Sequence, residues 1–477
     1  MLRRGRRAVL GAAAALSLVL AACGGDADGA DDAEGADGGD DAPAEHSDEE
    51  VIEQIVGEGD TTITWWHIST GEPLLSLWAD LAEEYATANN VTIEITVIEN
   101  EAFKTAISTA AQAGDMPDLF QSWGGGVLAQ QAAAGLTRDI SGDISGWVDE
   151  LSNAAVAPYT VDDAVYGLAW DMGMVGFWYN RALFADAGIN EPPETWSEFL
   201  NAVRALKDAG ITPIAVGAGE EWPAHFYYAY LSMRVAGLDG VRAAAEARSF
   251  DSPDFIRAGE LLEELVELEP FQDGYLGTGF GGVDGSAGYM ARGATAMELM
   301  GQWGPDVMAG AGAEQAALEE GVDIEAEDAE IEPLPEHPLG DDLGFFPFPV
   351  VEGGAGAGTE LMGGGNGIAV SSTAPDEAVD FLAFLFDTDN LRRVVGTGAA
   401  APVSADPEDT ADEIAPYMEP LFETLGQATG FQLYFDQDFP PAVGDQVNNS
   451  VAQLFGGQAS PEDVAQAITT VWQREPN

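Results

Sequence analysis

The sequence predicts an α/β protein built as two lobes, and three observations carry that expectation. The chain has 477 residues, more than one hydrophobic core holds, since cores stop growing near ~250 to 300 residues. Over its first third, runs with the two-residue period of strands alternate with runs of helical period. That βαβα order implies a mostly parallel sheet with helices on both faces. The same alternation then resumes after a long apolar stretch at 165–181, VYGLAWDMGMVGFWYNR.

The N-terminus reads as a targeting segment. Arg3, Arg4, Arg6 and Arg7 precede an apolar run at 8–19 that is too short to span a bilayer, so 1–22 has the form of a signal peptide. Leu20-Ala21-Ala22-Cys23 resembles the lipobox of bacterial lipoproteins, which implies that Cys23 becomes the lipid-modified first residue. A diacylglyceryl group supplies the two chains that stable anchoring requires. Residues 24–50 carry 12 Asp or Glu and no Lys or Arg; such a composition cannot offset its ordering entropy, and 23–60 is expected to be a lipidated, disordered tether.

Cys23 is the only cysteine, so no intrachain disulfide forms and an exported domain must rely on core burial. The chain holds 83 Asp and Glu against 17 Lys and Arg, a formal charge of −66. Nucleic acid and anionic membrane surfaces are repelled by such a protein and are excluded as partners. The acidity otherwise reads as a solvated surface suited to a saline, halophilic habitat.

In chain order, 62–66 reads as a first strand and 73–89 as a helix, with Leu74, Leu77, Trp78, Leu81 and Tyr85 at helical spacing. Alternation at 91–97 gives a second strand, and a helix through Phe103 and Ile107 ends at Gly114. A third strand at 118–123 enters the glycines Gly124, Gly125 and Gly126, followed by a helix to Gly135 and another over 145–156. The stretch 165–181 reads as buried β-structure around one charge, Asp171, which is either a structural acceptor or a ligand group. Thr195 and Glu198 form a capping box for a helix to Gly210, and 213–216 returns as a strand. The run 222–235 is apolar on nearly all sides and reads as a buried helix. A helix at 256–268, a strand at 295–300 and a proline-broken edge strand at 345–349 follow. Residues 314–342, with 12 acids and no base, read as an excursion. Its Asp323-x-Glu325-x-Glu327 lacks the turn glycine of a calcium loop, so no metal is expected. The glycines at 363–367 follow no clear strand and precede a short strand at 368–370, then a helix at 376–387. Ser460 and Pro461 open the last helix, which ends near Trp472.

Enzyme signals are nearly absent. The chain has no GxSxG, P-loop or HExxH, its four histidines are scattered, and the glycines at 363–367 do not fit GxGxxG, so neither catalytic residues nor a cofactor are expected. Carboxylate pairs suited to glycoside hydrolysis occur at every spacing in so acidic a chain and carry no information. What recurs is an aromatic beside flexible backbone at a strand-to-helix junction: Trp66-His67, Trp123-Gly124, Trp170-Asp171, Trp222-Pro223 and Trp303-Gly304. In open α/β sheets such junctions bind ligands. Flat aromatic faces cover the C–H faces of a sugar while Asp, His and Asn serve its hydroxyls.

The phrases ITWWHIS at 63–69, GDMPDLFQSWGGG at 114–126, YGLAWDMGMVGFWYNRALFADAGI at 166–189, TWSEFLNAVRALKDAGITPIAVG at 195–217 and AMELMGQW at 296–303 resemble the extracellular solute-binding proteins, family 1, of carbohydrate uptake ABC transporters. The resemblance implies a periplasmic-binding-protein-like fold of type II, two lobes joined by crossing hinge segments with sugar in the cleft. It places lobe one at 61–170 and 366–400 and lobe two at 171–365 and 401–477. It implies a carbohydrate site of His67, Trp123, Gly124, Asp171, Trp222, Trp303, Gly364, Gly365 and Asn366, with Tyr434 and Asp436 of the late QLYFDQ stretch. It further implies a monomeric, lipid-anchored receptor on the outer face of the membrane that closes on an oligosaccharide and delivers it to permease subunits. A surface glycosidase and a non-transport lectin are the alternatives.

Overall fold

A computed structural model of the chain describes residues 51–324, 326 and 331–475. The signal peptide, Cys23, the acidic segment 24–50 and the carboxylates Glu325 and Glu327 lie outside the described residues.

Buried apolar side chains fall into two clusters, one per lobe. The first surrounds Ile63, Trp65, Ile93, Phe120, Leu168 and Ile368; the second surrounds Phe177, Trp178, Phe199, Tyr227, Met297 and Val447. Over the first, Thr61–His67 pairs in parallel with Val91–Ile98 and Leu119–Ser122. Gly367–Val370 and Gly167–Ala169 complete that sheet as antiparallel strands. In the second lobe Gly176–Asn180 lies antiparallel to both Thr295–Met300 and Leu343–Phe346, and Thr212–Ala215 pairs in parallel with Thr295–Met300. The sheets are therefore mixed rather than mostly parallel. Strands that connect through helices enter parallel, whereas the first-lobe strands next to the interlobe crossings enter antiparallel.

The apolar stretch at 165–181 is not one strand. Gly167–Ala169 belongs to the first sheet, Gly176–Asn180 to the second, and Gly173–Met174 between them pairs with Glu360–Gly364 in a separate three-stranded sheet. This stretch is a crossing between lobes, which explains why every residue of 167–180 is buried. A second crossing runs from Glu360–Gly364 into Gly367–Val370.

Helix boundaries follow their caps. Glu99 accepts from the amides of Glu101 and Ala102 to open Asn100–Ala113, and Gly114 closes it in the left-handed region. The capping box of Thr195 and Glu198 opens Trp196–Asp208, and Ser460 with Asp463 opens Pro461–Trp472.

Four local expectations change. Residues 51–56, assigned to the tether, form the strand Val51–Val56, whose alternating VIEQIV pairs along its whole length with Val91–Ile98. The helix expected at 145–156 is broken into short turns, with Pro158 directly after them fixing the backbone. The glycine run at 363–367 begins inside a strand, Glu360–Gly364, in which Gly363 sits against the Gly173 backbone and Gly364 against the Tyr434 ring. The acidic excursion begins inside a helix, Gly304–Glu319, which runs past the first acid at Glu314.

Candidate functional site

A cavity of about 540 Å³ opens between the two lobes, within the ~300–1,000 Å³ usual for small-molecule sites. From the first lobe it takes Ser69, Thr70, Glu72, Lys104 and Trp123, each on the loop or helix just beyond a strand end. From the second it takes Trp222, Phe226, Phe280, Trp303 and Tyr434. Trp222 lies 6.4 Å from Trp303 between ring centroids, and Trp303 lies 6.0 Å from Tyr434. Phe226 closes the group at 5.5 Å from Trp222 and 5.4 Å from Tyr434. Edge-on and tilted contacts of this kind hold aromatic rings in fixed planes.

The indole of Trp222 is also held by a hydrogen bond. Its Nε1 donates to Glu220 at 2.8 Å, while the other oxygen of that carboxylate accepts from the Phe280 amide at 2.6 Å. Burial pushes the Glu220 carboxyl above its usual range against these two donors. Tyr434 is 5 % exposed and its ring lines the cavity, while its hydroxyl is itself buried and has no hydrogen-bond partner among the described residues.

Of the residues nominated from the sequence, Trp123, Trp222, Trp303, Gly365, Asn366, Tyr434 and Asp436 line the cavity. His67, Gly124, Asp171 and Gly364 do not. The His67 ring packs 4.8 Å from Trp65 and its Nδ1 accepts from the Ser69 amide, so it shapes the 68–71 loop that reaches the cavity. Burial lowers its pKa to about 3 and keeps it neutral. Gly124 has a left-handed backbone, and a Cβ there would stand 2.4 Å from the Pro158 carbonyl; it caps the helix Gly125–Ala133 instead of touching the cavity. Gly364 lies under the Tyr434 ring.

Asp171 is the largest correction, because its side chain is fully buried. One carboxylate oxygen accepts from the Ala401 amide at 2.7 Å; the other accepts from Gln302 at 2.7 Å and Asn366 at 3.3 Å. The Asn366 side chain in turn accepts from Gln121 at 2.9 Å. Asp171 therefore ties both crossings to a residue from each lobe. Desolvation raises its pKa to about 6, opposed by those donors. Gly365 is glycine for the same reason: a Cβ would lie 1.6 Å from the Asp171 carbonyl oxygen.

Lys104 is the functional residue the sequence reading missed. Its ammonium is 2.7 Å from Glu101 and 6.0 Å from the Trp222 centroid, so a first-lobe cation reaches a second-lobe ring. The signal was present in composition, since only Lys104 and Lys207 are lysines.

Among the described residues, no group of three metal-ligating side chains converges, and no helix is long and apolar enough to cross a membrane. Residues 69–391 match the family described as bacterial extracellular solute-binding protein. The chain is 27% identical over 172 residues to a multiple sugar-binding protein of Streptococcus mutans, covering 35% of this chain and 40% of that one. It is 26% identical over 213 residues to the diacetylchitobiose binding protein DasA of Streptomyces coelicolor, covering 44% of each. The matched segments thus span less than half the length of these relatives. Among solved structures, a protein from work on xylan utilization by Caldanaerobius polysaccharolyticus is similar at TM-score 0.75 and 26% identity, over 86% of this chain and 99% of that one. A chitin oligosaccharide binding protein shares the fold at TM-score 0.74 and 24% identity, over 87% of this chain and 99% of that one.

Proposed function

The chain belongs to the bacterial extracellular solute-binding proteins, and from that membership we propose that it is an oligosaccharide receptor which closes on its ligand and delivers it to an ABC transporter permease. The observation that carries this reading is the interlobe cavity with Trp123 on one side and Trp222, Trp303 and Tyr434 on the other. Rings on both lobes make their contacts to one ligand together only when the lobes approach. Ligand therefore shifts the population toward the closed state in proportion to that difference in contact. No bond is made or broken in this cycle.

The site in this proposal is the aromatic group with Gly365, Asn366 and Asp436, while Asp171 and His67 position its walls. Lobe one begins with the strand Val51–Val56 and spans 51–172 and 366–403, and lobe two 173–365 and 404–477, a division that widens the 61–170 and 366–400 expected for lobe one and is supported by the two clusters of buried side chains. The relatives that bind multiple sugars and diacetylchitobiose support a carbohydrate ligand. We assign the anchor to Cys23, with the receptor held as a monomer on the outer face of the membrane. A soluble chain starting after Cys23 tests the ligand by thermal shift and titration calorimetry against xylo-, malto-, raffinose-type and chito-oligosaccharides. Tight binding of one series without hydrolysis is the expected result; release of shorter sugars makes the protein a glycosidase instead. The anchor is tested by Cys23→Ser, which is expected to shift the protein from the membrane to the medium or to uncleaved precursor.

A further inference from the structure

The cavity does not end at the aromatic group. Beyond Trp303 it follows one face of the helix Gly304–Glu319, where Asp306, Gly310 and Glu314 line it at one-turn spacing. Eight residues of α-helix extend ~12 Å, more than a single pyranose ring occupies. Gly281 and Gly282 line the same stretch, and their loop is fixed to the helix by the Val283 amide, which donates to Glu314 at 2.8 Å.

Two details show that this stretch is kept open. A Cβ added at Gly281 or Gly310 meets no atom within 4 Å, so packing demands glycine at neither position. Glycine inside a helix is destabilising, and at Gly310, which is exposed and lines the cavity, the space it leaves is open. The second detail is Asp306, a half-buried carboxylate on the cavity wall that accepts no hydrogen bond from the described residues. Burial without a donor pushes its pKa up to about 7.

We propose that this stretch is an extended subsite for the second and further units of an uncharged oligosaccharide. The sugar chain runs from the Trp303–Tyr434 end along the helix Gly304–Glu319, and its hydroxyls donate to the Asp306 carboxylate. The receptor then selects for chain length. Uronic acid units are disfavoured, because Asp306 and Glu314 face the stretch and the only base lining the cavity among the described residues, Lys104, belongs to the other lobe. The inference rests on reading the cavity as a sugar site.

The test is titration calorimetry with the mono- to tetrasaccharides of the xylo-, malto- and chito- series on the wild type, Gly310→Leu and Asp306→Asn. In the series that binds, wild-type affinity is expected to rise at least about tenfold from the shortest binder to the trisaccharide. Gly310→Leu is expected to bind the shortest sugar as the wild type does, to lose the gain with length, and to melt no lower, since leucine favours helix over glycine. Asp306→Asn is expected to lose part of the same gain. Wild-type affinity that is flat with length, or a Gly310→Leu variant that binds the trisaccharide at full strength, removes the subsite while leaving the receptor intact. A wild type that binds no sugar of any series removes the receptor reading itself, and this one with it.

Discussion

The cavity wall and the layer directly behind it are written in the same kind of sequence, a polar or aromatic residue just past a strand end, yet they do opposite work. Trp123, Trp222 and Trp303 reach the cavity, whereas His67 and Asp171 turn away and hold the wall in place. The difference lies in side-chain length and in available donors. An indole at a junction extends past its own backbone and leaves part of a ring exposed. A carboxylate is short, and at Asp171 three donors from three separate chain segments satisfy it in place. A strand end thus nominates a residue for the site, and the local supply of partners decides whether it serves the ligand or the scaffold.

The largest expected effect is a loss of stability with rising pH, carried mainly by the layer behind the wall and in part by Asp306 on it, which burial raises to about 7. Behind the wall Asp171 is raised to about 6, and Glu298, on the strand Thr295–Met300 and 1 % exposed, is raised to about 8 by burial. Both folded values exceed the ordinary carboxylate values, so the folded state holds more protons. The stability they contribute is complete below the ordinary values and is lost as pH rises through about 6 and then about 8. At ~1.4 kcal/mol per unit of displacement, the loss between the ordinary carboxylate values and about pH 8 amounts to several kcal/mol. Thermal melts from about pH 4.5 to about 9 are expected to show it, and Glu298→Gln to flatten its upper part. A flat wild-type profile means that these carboxyls are not desolvated.

Next come paired substitutions. Asp171→Ala strands the Ala401 amide, Gln302 and Asn366 without their acceptor, at about 1–3 kcal/mol for each buried donor left unmade. The ligand-free melting temperature is expected to fall by many degrees. Trp303→Ala, on a half-buried ring, is expected to lose about 1–3 kcal/mol of sugar affinity with a smaller change in melting. Should Trp303→Ala lower stability as much as Asp171→Ala while affinity holds, the distinction between wall and backing layer fails.

Much of the frame was legible in the sequence. Period-2 runs located the strands, and the Thr195–Glu198 and Ser460–Pro461 signals located helix starts, because these depend on neighbours in sequence. The aromatic part of the cavity wall was legible for the same reason, since tryptophans at strand ends are visible one phrase at a time. The crossing at 165–181 was not, because an apolar run buried in three successive sheets has the same composition as one long strand. Nor was the burial of Asp171, whose donors at 302, 366 and 401 come from parts of the chain that only the fold brings together.

The smallest expected effect concerns Lys104, where the wall itself spans the lobes. Its ammonium pairs with Glu101 on its own helix and lies over the Trp222 ring of the other lobe. Glu101 is substantially exposed, so that pair contributes little. The cation–π contact is worth ~0.5–1 kcal/mol at a partly exposed site, and it exists only while the lobes are close. Lys104→Met keeps the aliphatic stem and removes the charge. It also leaves Glu99 and Glu101 facing Asp436 across the cleft with no cation between them. Sugar affinity is therefore expected to fall about two- to fivefold, while the ligand-free melting temperature stays within a degree or two of wild type. Because part of the effect is coulombic, the deficit should shrink as salt rises from about 0.1 M to 1 M and the Debye length falls from ~10 to ~3 Å. Lys104→Arg keeps the charge and should bind nearly as the wild type does. A deficit that persists unchanged in high salt would assign Lys104 to direct ligand contact, and a lowered melting temperature with intact affinity would move it from the wall into the scaffold beside Asp171.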